Sequence, residues 1–181
     1  AFELSLFTAS APFFPEYIET QTTINTVKYH PRGNRYSTGD IFRSLGGEGI
    51  FSGYFEKILP SVVDGKDFDV VGISVAFDDQ LHAAFHCAKA VRRLLPHAHI
   101  TMGGTYVTAG MAQVRERKVF DYVDSLVVED GEEPLAALVR EVASGRPEFR
   151  KVPSLIYREG DEICRNPVKP PIPLESLPCP D

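Results

Sequence analysis

The sequence predicts an α/β fold: a doubly wound parallel sheet with helices on both faces, followed by a C-terminal β-hairpin and a linker. Three observations carry that expectation. Val70-Val71-Gly72-Ile73-Ser74-Val75 is a β-branched run, the mark of a strand buried on both faces. From Asp69 to Gly145, strand-like and helix-like segments alternate. Two short strand-like segments then flank Glu159-Gly160-Asp161, a hairpin turn.

Taken in order, Glu3–Ala9 alternates apolar and polar residues and predicts a strand that ends at Ser10-Ala11-Pro12. The stretch Phe13 to Gly39 has no clear period, and residues 1–67 as a whole are poorly assigned. Thr38-Gly39-Asp40 can cap a helix through Ile41, Phe42 and Leu45. Phe51, Tyr54, Phe55, Ile58 and Leu59 give Ile50–Val63 a helical period, with Pro60 placed to bend or end it. After the buried run, Asp78 or Asp79 is expected to cap a helix through Leu95. Its apolar face is Leu81, Ala84, Phe85, Ala88 and Val91. Its other face, with His82, His86, Lys89, Arg92 and Arg93, reads as solvated.

His99–Met102 is a short strand entering Gly103-Gly104, and a helix is expected over Thr108–Glu116. Ser125–Val128 is the next strand, ending in Glu129-Asp130-Gly131. Glu132–Ala143 is a helix with Pro134 in its first turn and Gly145 at its C-cap. Ser154–Tyr157 and Glu162–Arg165 form the hairpin, and Pro167–Asp181 is an extended, proline-rich linker. Residues 1–150 thus read as one α/β domain and 151–181 as hairpin and linker.

Composition narrows the function. Apolar residues make up 43% and charged residues 24% of the 181, which is ordinary globular usage and excludes a disordered chain. The formal charge is −6 and no basic run exists, so nucleic acid and anionic membrane are poor partners. Apolar runs are a few residues long, far short of the ~20 that a membrane helix needs. No secretory signal is present. The 3 cysteines are isolated, without CxxC spacing, which fits a reducing cytoplasm and excludes structural zinc or an iron–sulfur cluster held by this chain alone. A first residue that is Ala, and a proline-rich end, suggest a domain from a longer protein.

In open sheets of this kind ligands bind beyond the carboxyl ends of the strands. Three loops therefore matter. At Ser74–Asp79 a hydroxyl leaves a buried strand and can reach a ligand. At Gly103–Thr108 two glycines allow close approach to backbone, without the lysine of a phosphate loop or the spacing of a dinucleotide site. At Glu129–Glu132 carboxylates favour the helix N-terminus, and Glu129 and Gly131 can wall a cleft. His82 and His86 have i, i+4 spacing but no third ligand in sequence. No nucleophile–base pair is evident.

The stretches "DVVGISVAFDDQLHAAFHCAKAVRRLLPHAHITMGGTYVT" and "SLVVEDGEEPLAALVREVASG" resemble the N-terminal cobalamin (vitamin B12)-binding domain of the cobalamin-dependent radical S-adenosylmethionine enzyme family. The tail "VPSLIYREGDEICRNPVKPPIPLESLPCPD" looks like the connector into the radical domain. The resemblance covers about residues 68–181. It implies a flavodoxin-like (Rossmann-like) fold with the corrin ring across the carboxyl edge of the sheet. The family's Ser-x-x element falls on Ser74, Val75 and Ala76, its Gly-Gly on Gly103 and Gly104, and its acidic-glycine loop on Glu129, Gly131 and Glu132. Phe77, Thr105 and Tyr106 would border the ring. A bulky residue at Gly104 is expected to abolish cobalamin binding without unfolding the sheet. Thr8–Phe13 lacks the Asp-x-His-x-x-Gly of histidine-ligated relatives, so cobalamin would be held without a histidine lower ligand.

The resemblance implies a cytoplasmic cobalamin-binding module, not catalytic by itself, within a radical S-adenosylmethionine methyltransferase. S-Adenosylmethionine and the [4Fe–4S] cluster would belong to a C-terminal radical domain outside this chain, which would be its partner. The alternative is a degenerate, cofactor-free domain of the same fold used as a docking or substrate-interaction surface. A flavin or nucleotide protein is a weaker reading, because the first loop offers no glycine to cradle phosphate. The methyl acceptor and the oligomeric state are not encoded in any motif.

Overall fold

The computed structural model describes residues 37–47 and 50–170. The strand expected over Glu3–Ala9, the segment 13–36 and the tail beyond Pro170 lie outside the described residues. The chain divides into two compact units, one built from residues up to Asp67 with Phe77–Pro96, the other from Phe68–Ala76 with His97 onward.

The first unit is helical: α1 (Thr38–Ser44), α2 (Ile50–Val63) and α3 (Leu81–Leu94). The cap of α1 is Ser37, whose Oγ accepts from the Asp40 N–H at 3.4 Å, one residue before the expected capping segment. α2 has its expected bounds and carries Pro60 inside it. Neither Asp78 nor Asp79 is the N-cap of α3. The chain first makes a 3-10 turn, Asp78–Gln80, and the Phe77 N–H donates to the Gln80 side-chain oxygen at 3.2 Å. Both aspartates sit inside that first turn, where a carboxylate still favours the helix dipole.

Ile41, Phe42 and Leu45 are buried, and the Phe42 and Phe85 rings meet edge to face at 5.7 Å. The solvated reading of His82 and His86 is overturned: they are only 2% and 5% exposed. Ser44 Oγ on α1 lies 3.4 Å from His82 Nδ1 and 3.5 Å from His86 Nε2, and the Phe51 ring on α2 lies 5.9 Å from the His86 ring. Two helices thus cover a face whose histidines, counted as polar, had marked it for water.

The second unit is a five-stranded sheet in the order β1 (Val70–Ser74), β2 (His99–Gly103), β3 (Ser125–Val127), β4 (Leu155–Glu159), β5 (Glu162–Arg165). β1, β2 and β3 are parallel; β4 and β5 are antiparallel. The hairpin therefore extends the sheet. The α/β, flavodoxin-like class stands. β1 is not buried on both faces, since Gly72 and Ser74 are exposed. α4 (Glu132–Ala143) follows β3 with its expected bounds.

The expected helix over Thr108–Glu116 is instead a single wide turn, Val107–Met111, of π type. Gly110 explains it: a Cβ there would stand 2.8 Å from Cζ of the Tyr106 ring, which lies over the bare glycine. A second short turn, Arg117–Asp121, leads into β3.

Strand starts are aligned by Asp124, whose Oδ2 accepts from the Ile100 N–H at 2.7 Å while its own N–H donates to the Ile100 carbonyl at 2.8 Å. The expected linker is anchored at its start. Asn166 Nδ2 donates to the Phe149 and Val152 carbonyls at 2.6 and 2.7 Å, the Ser154 N–H donates to the Pro167 carbonyl, and Lys169 pairs with Glu133. Among the described residues no helix is long and apolar enough to cross a membrane.

Candidate functional site

Strand register decides where the site lies. Gly72 pairs with Thr101 and Ser74 with Gly103, while Thr101 pairs with Ser125. Side chains alternate along a strand, so Gly72, Ser74, Thr101, Gly103, Ser125 and Val127 share one face. Leu155 and Tyr157 continue that face on β4, opposite Val127 and Ser125. α4 covers its β3–β4 half: Leu138 is fully buried against Val127, Leu155 and Tyr157, with Val142 packed beside it. The β1–β2 half carries glycine, serine and threonine. A small-residue floor beside a helix leaves a trench.

That trench is a cleft of about 440 Å³, within the roughly 300–1,000 Å³ usual for small-molecule sites. It opens at the carboxyl ends of the parallel strands. Six of the residues singled out from sequence line it: Ser74, Gly103, Gly104, Glu129, Gly131 and Glu132. Gly72 and Thr101 on the floor, and Leu135 on the wall, line it too and were missed. Stepping back two residues from Ser74 and from Gly103 would have found Gly72 and Thr101.

The other candidates do not line the cleft. Val75 is fully buried, donating its N–H to the Gly103 carbonyl at 2.7 Å and accepting the Tyr106 N–H at 3.1 Å. Ala76 and Thr105 are exposed. Tyr106 begins the wide turn with its ring over Gly110. Phe77 belongs to the helical unit and is 67% exposed.

Two backbone features shape the rim. Gly104 has φ +109°, and a Cβ there would lie 2.7 Å from the Val75 carbonyl oxygen. The glycine is thus demanded by its own chain before any ligand arrives, so a bulky residue there strains the loop whether or not a ligand is bound. Glu129 adopts φ +60° without being glycine, and its N–H donates to Thr108 Oγ1 at 2.8 Å. Such conformations cost on the order of 1 kcal/mol or more and concentrate at functional loops. Glu129 and Glu132 make the rim acidic at the N-terminus of α4.

Burial pushes the Cys87 thiol up, keeping it protonated. Among the described residues no three of His, Cys, Asp and Glu gather as a metal site.

Fold and cleft together define an α/β sheet domain with a trench at the carboxyl edge of its parallel strands, where sheets of this kind bind ligands. Residues 40–139 match the family model described as "B12 binding domain", more than half of the chain. The chain belongs to the B12-binding domain family. Among solved structures it resembles the radical S-adenosylmethionine methyltransferase TsrM from Kitasatospora setae, with cobalamin and a [4Fe–4S] cluster bound, at TM-score 0.52 and 19% identity over 70% of this chain. At that identity the likeness is one of fold, and the matched region spans 23% of the TsrM chain. No curated protein matches the sequence.

Proposed function

We propose that the chain is the cobalamin-binding module of a cytoplasmic radical S-adenosylmethionine methyltransferase, and that the trench receives the nucleotide arm of the cofactor. The observation that supports this best is the open floor. A Cβ built on Gly72, on the floor, or on Gly131, at the rim, meets nothing within 4 Å, so the trench at these two residues is space and not packing. The residues fit the group: a flat, small-residue surface for an arm, two hydroxyls for its polar atoms, and an apolar wall at Leu135.

When bound, cobalamin supplies a carrier for a one-carbon group. This chain's own residues bind and orient it. Ser74 and Thr101 offer hydroxyls along the arm, Gly103 and Gly104 let it pass close to backbone, and Gly131 and Glu132 border its exit. Thr105 and Tyr106, outside the trench, would meet the corrin ring instead. The [4Fe–4S] cluster and S-adenosylmethionine would be held by a C-terminal radical domain, reached through the segment that starts at the anchored Pro167.

Titration of the purified chain with hydroxocobalamin, followed by desalting and a visible spectrum, tests the proposal. Retained pigment near one equivalent is the expected result. A folded, colourless chain would reject it in favour of a cofactor-free docking domain.

A further inference from the structure

The floor of the trench is the end of a buried hydrogen-bond chain. His99 Nε2 lies 2.8 Å from Ser125 Oγ, and Ser125 Oγ donates to Thr101 Oγ1 at 2.9 Å. All three are buried, at 8%, 0% and 3% exposure, and all share the trench face. A hydroxyl has one proton. With the Ser125 proton on Thr101, the His99 contact is a donation from Nε2–H to Ser125. The proton of Thr101 is then left over. The acceptor it reaches within the chain is the Ser125 carbonyl at 3.4 Å, beyond the usual O–H···O range of about 2.5–3.0 Å.

An underused donor on the floor of a cleft is placed for a ligand. We infer that Thr101 donates a hydrogen bond to an unprotonated acceptor on the arm that enters the trench, and that His99 fixes this polarity through Ser125. The inference rests on the cobalamin reading for the arm's identity, where an aromatic ring nitrogen or a phosphate or sugar oxygen supplies the acceptor. Thr101 touches the ligand; Ser125 and His99 are positioning residues. The polarity is a matter of the histidine tautomer. With the proton on Nδ1, Ser125 would donate to Nε2, Thr101 would donate to Ser125, and the floor would present lone pairs only. The ring is held in place by Phe149, whose centroid is 5.0 Å away.

The test uses two corrinoids. Hydroxocobalamin carries the nucleotide arm and dicyanocobinamide lacks it. Thr101→Val keeps the shape and removes the hydroxyl, and Thr101→Ser keeps the hydroxyl. The expected result is about tenfold weaker hydroxocobalamin binding by Thr101→Val, equivalent to about 1.4 kcal/mol. Thr101→Ser is expected to bind as the wild type, and Thr101→Val to leave cobinamide binding unchanged. Ser125→Ala should weaken hydroxocobalamin similarly, and Thr101→Val combined with Ser125→Ala no further, because the groups act as one chain. Imidazole 15N shifts of the free chain should show His99 protonated on Nε2. Wild-type binding that Thr101→Val leaves intact, an equal loss for both corrinoids, or a His99 proton on Nδ1 would overturn the inference alone. A wild-type chain that takes up neither corrinoid would overturn the cofactor reading and this inference with it.

Discussion

Gly104 stands against Val75: at φ +109°, a Cβ on Gly104 would come within 2.7 Å of the Val75 carbonyl oxygen and 3.0 Å of its nitrogen. The contact locks the loop after β2 to the end of β1, and the same segment is held by the Val75 and Tyr106 amide bonds. Replacing Gly104 with alanine sets a clash with rigid backbone on top of an unfavourable φ. The expected cost is about 2–4 kcal/mol. Urea unfolding of Gly104→Ala should show a lower midpoint with an unchanged slope. Wild-type stability would mean that the loop relaxes without cost.

The histidine pair makes the helical unit acid-sensitive. Burial lowers His82 to about 4 against a partial opposing pull from Asp40, and burial, with His82 and Lys89, lowers His86 to about 4. Both are therefore neutral when folded and take up protons more readily when unfolded. Their contribution is fully present above pH ~6.5, declines as pH falls, and is exhausted near pH 4, for a loss on the order of a few kcal/mol for the pair. The urea midpoint should fall over that window. In a chain carrying His82→Gln and His86→Gln the slope should flatten, and an equally steep decline would assign the acid response to other groups.

Asn166 ties the segment after the hairpin to the turn before it, through two donations from one amide. Asn166→Ala leaves the Val152 carbonyl to find water and the Phe149 carbonyl with the Val152 N–H alone, at a cost of about 1–3 kcal/mol. Amide exchange should quicken at Ser154, whose N–H bonds to the Pro167 carbonyl, and at Val152. Unchanged protection would show that the backbone bonds of Ser154 and Asn166, with the ion pair of Lys169 and Glu133, anchor the segment without the Asn166 side chain.

Long periodic segments were legible in the sequence. Ile50–Val63 and Glu132–Ala143 appear with the bounds that their periods dictate, because an apolar stripe of 12 to 14 residues is hard to satisfy otherwise. What failed depends on tertiary neighbours. The period of α3 is indifferent to which side the histidines face, and α1 and α2 decide that. Thr108–Glu116 has helical composition, yet the Tyr106 ring on Gly110 widens its first turn. The cleft was half legible. The carboxyl-end rule found the rim at Ser74, Gly103, Gly104 and Glu129. The floor at Gly72 and Thr101 follows from strand alternation two residues back from Ser74 and Gly103, and the pairing of β1 with β2 sets the two side by side on one face.

The most direct measurement is a paired titration of the wild type and Gly72→Val with hydroxocobalamin. Gly72 has no atom within 4 Å of its missing Cβ, so valine fills the trench floor without a clash and suits a strand. The account predicts about one equivalent of retained pigment for the wild type, at least tenfold weaker binding for Gly72→Val, and equal or higher thermal stability for the variant. Equal binding by both would place the cofactor somewhere other than the trench and contradict the account.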